Sequence, residues 1–110
     1  MCKLIIGLIT LFSISAFANE LDPKEICESG ALQSSNAQVR DFASNYCKKA
    51  ETIELATCMA GALQSSDKLV RDYAANYCRK AETLEQATCM AEELQSTEAN
   101  HRYYAANYCR

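Results

Sequence analysis

The sequence predicts an all-α protein: three tandem 31-residue helical hairpins, stacked as a short solenoid or compact bundle and stapled by disulfides. Three observations predict it. Residues 27–57 and 58–88 agree at 21 of 31 positions, and "RYYAANYCR" at 102–110 starts the same phrase again. Apolar residues recur within each copy at helical spacing. Six cysteines keep the same period, with Cys27, Cys58 and Cys89 in one set and Cys47, Cys78 and Cys109 in the other. The copies are therefore 27–57, 58–88 and 89–110.

The chain opens with an export leader. Lys3 supplies a small positive charge, Leu4 to Ile14 an apolar run broken by Gly7, Thr10 and Ser13, and Ala16-Phe17-Ala18 the small-x-small pattern of a signal-peptidase site. Residues 1–18 read as a signal peptide cut between Ala18 and Asn19, leaving 19–110 as a single helical-repeat domain. The apolar run is shorter than the about 20 residues a membrane span needs, so no stable membrane insertion is expected after cleavage. Cleavage also removes Lys3 and Cys2. The mature chain then has 10 basic residues against 14 acidic ones and six cysteines in place of seven. A net charge of about −4 argues against nucleic acid, which requires a basic stripe. An even cysteine count behind a leader reads as a disulfide framework in a secreted or periplasmic protein.

Pro23 precedes the first full helix, where proline is tolerated. In the second stretch of each copy, Val70, Tyr73, Ala74, Tyr77, Cys78 and Ala81 fall at i, i+3, i+4, i+7, i+8 and i+11, one stripe of an α-helix. Val39, Phe42, Ala43, Tyr46, Cys47 and Ala50 repeat the stripe. The other stretch, Ile53 to Leu63, is apolar over most of its circumference, as a helix packed between neighbours is. Thr83 with Gln86, and Ser35 with Gln38, have capping-box spacing. "LQSS" and "LQST" mark the turn inside a unit, and "KKAET" and "RKAET" the turn between units. Six helices in three hairpins follow, with no strand signal. Hairpins of this kind bury their apolar faces by stacking. The end copies are accordingly more polar: the last has Gln86, Glu92, Glu93 and His101 where the middle one has Leu55, Gly61, Ala62 and Val70. The architecture is similar to tetratricopeptide-type arrays at the level of paired helices, with a period of 31 in place of about 34 and without that motif's tryptophan and late proline.

Two pairings of the cysteines compete. Across C-x19-C the bridges are Cys27–Cys47, Cys58–Cys78 and Cys89–Cys109. Across C-x10-C they are Cys47–Cys58 and Cys78–Cys89, stranding Cys27 and Cys109. The midpoint of a simple antiparallel hairpin slightly favours the second scheme. Parity favours the first, because each unit then carries its own pair, and the first is the expectation adopted. Each such loop contributes about 3 kcal/mol.

No catalytic constellation is visible, and the chain is not expected to be an enzyme or to hold a cofactor. His101 is the single histidine, with no nucleophile beside it, and reads as an end-cap residue. Gly30 and Gly61 stand alone in helical sequence and form no phosphate loop. Cys58-Met59 and Cys89-Met90 group soft ligands, so sequestration of Cu(I) or another soft metal is the alternative function, loosely similar in composition to cysteine-lined bundles that store copper. No C-x2-C pair accompanies them.

The favoured function is binding or structural, toward a protein or a cell-envelope component. Arg40, Arg71 and Arg102, Asn45, Asn76 and Asn107, and Gln33, Gln64 and Gln95 recur at the period and would form ladders on a stacked array. For the arginines, the plain alternative is an ion pair with Glu54 or Glu85. Tyr103 replaces Asp72 on an outward position beside His101, as a contact patch or as a lid on the open end of the array. Intact mass of the exported protein is expected to match a chain beginning at Asn19; a form retaining Met1 and Cys2 would refute the leader.

Overall fold

The computed structural model describes residues 22–110, and within them every regular element is helical. The predicted leader and the Ala18–Asn19 junction lie outside the described residues. Each copy, counted from the start of the long helix that carries its first cysteine, contributes one long helix and two short ones. The long helices are α1 (Pro23–Ala31), α4 (Ile53–Ala62) and α7 (Leu84–Glu93). The short pairs are α2 (Ala37–Asp41) with α3 (Ala43–Tyr46), α5 (Lys68–Asp72) with α6 (Ala74–Tyr77), and α8 (Ala99–Tyr103) with α9 (Ala105–Tyr108).

Side-chain caps start the long helices and two of the short ones. The Asp22 carboxylate accepts from the Lys24 amide, with Pro23 as the first helical residue. Thr52 and Thr83 hydroxyls accept from Leu55 and Gln86 amides, each at 3.1 Å. Gln86 reaches back to the Glu82 amide at 3.0 Å, so its box closes one residue earlier than Thr83. The expected box of Ser35 and Gln38 does not form. Asn36 caps α2 instead, its Oδ1 accepting from the Val39 amide, while Ser34 Oγ accepts from the Asn36 amide. Asn36 wins because its short side chain already sits in extended backbone, at φ −88° and ψ 120°, where a cap belongs.

The second stretch of each copy is two helices, where one was expected. Phe42, Tyr73 and Tyr104 leave the helical basin, with φ near −117°, −115° and −112° and ψ of 34°, 32° and 27°. Each ends one short helix and begins the next. Their rings, expected in the apolar stripe, are more than half exposed. Val39, Ala43 and Cys47, spaced by four, are buried, as are Val70, Ala74 and Cys78. Residues four apart on an unbroken α-helix drift about 40° around it per step. The break absorbs that drift and turns the aromatic ring outward while all three smaller residues stay in the core.

The long helices form the spine. α4 packs against α1 on one side and α7 on the other, and each long helix also packs against the last short helix of its own copy. The approach is close enough that only glycine fits: a Cβ on Gly30 would meet Ala60 Cβ at 2.4 Å, and one on Gly61 would meet Ala91 Cβ at 2.4 Å. The core is built of Met59, Leu63, Met90, Leu94, Val39 and Val70, filled in with alanines and cysteines. Disulfides join Cys27 to Cys47, Cys58 to Cys78 and Cys89 to Cys109, with Cα–Cα distances of 5.8, 5.6 and 5.7 Å, inside the ordinary range. The broken helix also disposes of the midpoint argument against this pairing, which assumed an uninterrupted hairpin arm.

Gly61→Ala is expected to destabilise the fold by about 1–3 kcal/mol in denaturant titration with disulfides intact, because overpacking outweighs alanine's better helix propensity. Glu92 holds the same position in the last copy and faces solvent. Glu92→Ala should stay within about 0.5 kcal/mol of wild type.

Candidate functional site

The arginine ladder is structural at the contacts it makes. Nη1 of Arg40, Arg71 and Arg102 donates to the carbonyl oxygens of Ser34, Ser65 and Ser96 at 2.7, 2.9 and 2.9 Å. Each guanidinium thereby pins the turn between the long helix and the short pair of its own copy. The expected ion pairs with Glu54 or Glu85 are not made. Arg102 pairs with Asp67 instead, Nε to Oδ2 at 3.0 Å, because the turn bond already holds the guanidinium over the neighbouring copy. The glutamines are also partly committed: Gln64 and Gln95 donate back to the carbonyls of Ala60 and Ala91 at 3.1 Å. Asn45, Asn76 and Asn107 are all exposed.

Between successive copies lie two equivalent junctions with different contents. At the junction of the second and third copies, the Tyr103 ring stacks on Tyr77, centroids 6.2 Å apart and planes at 22°. The Tyr103 hydroxyl donates to Asp67 Oδ2 at 3.1 Å, beside Arg102. Tyr103 therefore lies against the neighbouring copy, with just under half of its surface exposed. Burial opposes ionisation of Asp67, but bonds from the Leu69 amide, the Tyr103 hydroxyl and the Arg102 guanidinium outweigh it and hold the carboxyl below its ordinary value. Burial, with Tyr103 and Asp67 nearby, pushes the Tyr77 phenol up. The groove left there measures about 170 Å³.

At the junction of the first and second copies, Asp72 replaces Tyr103 and Asn36 replaces Asp67. Asp72 pairs with Lys68 on its own helix α5, which raises the Lys68 pKa. A groove of about 480 Å³ remains, with Phe42, Tyr46 and Tyr73 among its walls and Lys48, Lys49 and Arg71 at its rim. Asn45 and Asn76 line it as well. Sequence reasoning identified the asparagines but missed the groove. Its signal was available: Asp72 and Tyr103 differ at one register of an otherwise faithful repeat.

The C-terminal end carries a charged cap. His101, where other copies bury valine, has Nδ1 at 2.7 Å from Glu93 Oε1 and Nε2 at 3.0 Å from Glu98 Oε2. Its ring stacks on Tyr108 at 4.7 Å, 5° from parallel. The bond to Glu93, with the charges of Glu93 and Glu98, outweighs desolvation and raises the His101 pKa above 6.5. Doubly protonated imidazole donates to both carboxylates, which neutral imidazole cannot do.

The six sulfurs weighed as soft-metal ligands are bonded in pairs, and Met59 and Met90 are buried in the core. Among the described residues no cluster of three or more His, Cys, Asp or Glu side chains forms a metal site, and no helix is long and apolar enough to cross a membrane. Three intramolecular disulfides are typical of secreted or periplasmic proteins and mark a small, stabilised extracellular chain. No protein-family model matches this sequence, and neither a curated protein nor a solved structure does.

The raised His101 pKa has a definite sign. The cap's contribution is fully present below the ordinary histidine value of about 6.5 and is lost as pH rises through the higher folded-state value. Thermal melts of wild type should fall as pH is raised from about 6 to above that value. His101→Gln, which does not titrate, should lack this component, and parallel curves for the two proteins would refute it.

Proposed function

We propose that this is an exported helical-repeat protein whose three disulfide-stapled hairpins stack as a short solenoid, and that it acts by binding a protein or cell-envelope component, without catalysis. The observation that carries the reading is the row of exposed asparagines at equal sequence intervals, Asn45, Asn76 and Asn107, two of them lining the open groove. Helical arrays present equivalent positions as extended surfaces, which is how they recognise partners. Three bridges tie the long helices to the short ones that carry the asparagines, so less order has to be imposed on binding. The lone histidine supports the same reading, since its two nitrogens are occupied by Glu93 and Glu98 in the cap.

The test is retention of a partner from the protein's own extracytoplasmic fluid by the immobilised mature chain, compared with the triple variant Asn45→Ala, Asn76→Ala, Asn107→Ala. The variant should keep the wild-type melting temperature, because the three side chains are exposed, and should lose at least about tenfold in affinity. Equal retention by both proteins, or no saturable retention by wild type, would overturn the reading.

A further inference from the structure

The two junctions are the same construction with one part exchanged, and the filled one shows what the open one lacks. Where Tyr103 covers Tyr77, its ring is stacked on that residue and its hydroxyl reaches a carboxylate also held by Arg102. One register earlier, Tyr46 has no such cover. Asp72, in the place of Tyr103, lines the groove and pairs with Lys68. Asn36, in the place of Asp67, carries no charge, and its Oδ1 accepts from the Val39 amide. Among the described residues Arg71, the counterpart of Arg102, has no carboxylate partner, although its Nη1 keeps the Ser65 carbonyl.

An aromatic wall is thus left open with donors and cations around it. Lys48, Lys49 and Arg71 face the groove, and its single carboxylate, Asp72, is already neutralised by Lys68. This positive groove belongs to a chain of net charge −3. Both missing parts, a ring and a carboxylate, are parts the second junction draws from its own chain.

We propose that the groove between the first and second copies is a docking site for an aromatic side chain flanked by carboxylates on an acidic polypeptide. The ring lies on Tyr46 between Phe42 and Tyr73, as Tyr103 lies on Tyr77. The flanking carboxylates meet Arg71, Lys48 and Lys49, supplying the charge that Asp67 supplies to Arg102. This inference rests on the binding function proposed above and names the chemistry of the partner.

The experiment uses the mature disulfide-bonded protein, isotope-labelled, titrated with the capped pentapeptide Glu-Glu-Tyr-Glu-Glu. Saturable shifts should appear at the amides of Asn45, Ala74, Ala75 and Asn76. Replacing the peptide's tyrosine by alanine, or its glutamates by lysines, should weaken the interaction at least about tenfold. Asp72→Tyr should do the same by filling the groove from within, as Tyr103 fills the other, and should leave the bridges and helicity intact. The exposed double variant Lys48→Glu, Lys49→Glu should also weaken binding and cannot act by filling space. Absence of saturable shifts at the groove, or undiminished binding by both variants, would overturn the proposal. The two ideas fail separately. An inert groove in a protein whose asparagine variant still loses its partner sinks only this inference. A peptide-binding groove in a protein that retains no partner sinks only the function.

Discussion

Everything in this molecule is hung on the contact of long helices at Gly30 against Ala60 and Gly61 against Ala91. A hydrogen in place of a Cβ brings α4 close to both neighbours, and that proximity sets the spacing at which the short helices meet across each junction. Small side chains also mean little apolar volume. The core has only a handful of large residues and is otherwise alanine and cysteine. A domain of this size with such a core is marginal on hydrophobic burial alone. The bridges compensate by restricting the unfolded chain, each across a sequence separation of 20. Close helices and disulfides are therefore two sides of one solution.

On this common frame the copies are individualised by few residues. Glu92 replaces the glycine at the last copy and is exposed; a carboxylate there would be costly to bury against another long helix. His101 and Glu93 replace a buried valine and alanine and pair with each other, with the Tyr108 ring stacked on the imidazole. Tyr103 replaces an aspartate and locks the third copy to the second. Each substitution exchanges a buried or open position of the repeat for a polar or filled one. The physical consequence is a molecule with one closed junction, one open junction and a titratable end.

Much of the fold was legible from pattern. Helical periodicity depends on residues within a turn or two of one another, so stripes such as Val70, Ala74 and Cys78 are visible without any tertiary knowledge. Caps were less legible. Ser35 and Asn36 are adjacent and both suited to capping; which one serves depends on where the preceding turn places the backbone, and Ser34 and Arg40 decide that from either side. The break at Phe42, Tyr73 and Tyr104 was not legible at all, because aromatic residues continue a helix as readily as they end one. Of the surface residues, the asparagines were readable as outward from their place relative to the stripe, whereas Arg40, Arg71 and Arg102 fall on its flank, and nothing in the spacing shows that they are tied to serine carbonyls six residues back.

By itself, then, the sequence determined the all-helical composition, the period and the number of cysteines available for bridges, since each follows from local spacing or from counting. Cysteine parity had also favoured the C-x19-C pairing that the structure shows. Only the tertiary structure decided that the arginines hold turns, that Tyr103 belongs to Tyr77 and Asp67, and that a groove stays open beside Asp72. Those outcomes rest on distances between residues far apart in the chain. Spacing along one helix cannot supply them, because a single kink of the backbone at Phe42 or Tyr73 is enough to change which side chains meet.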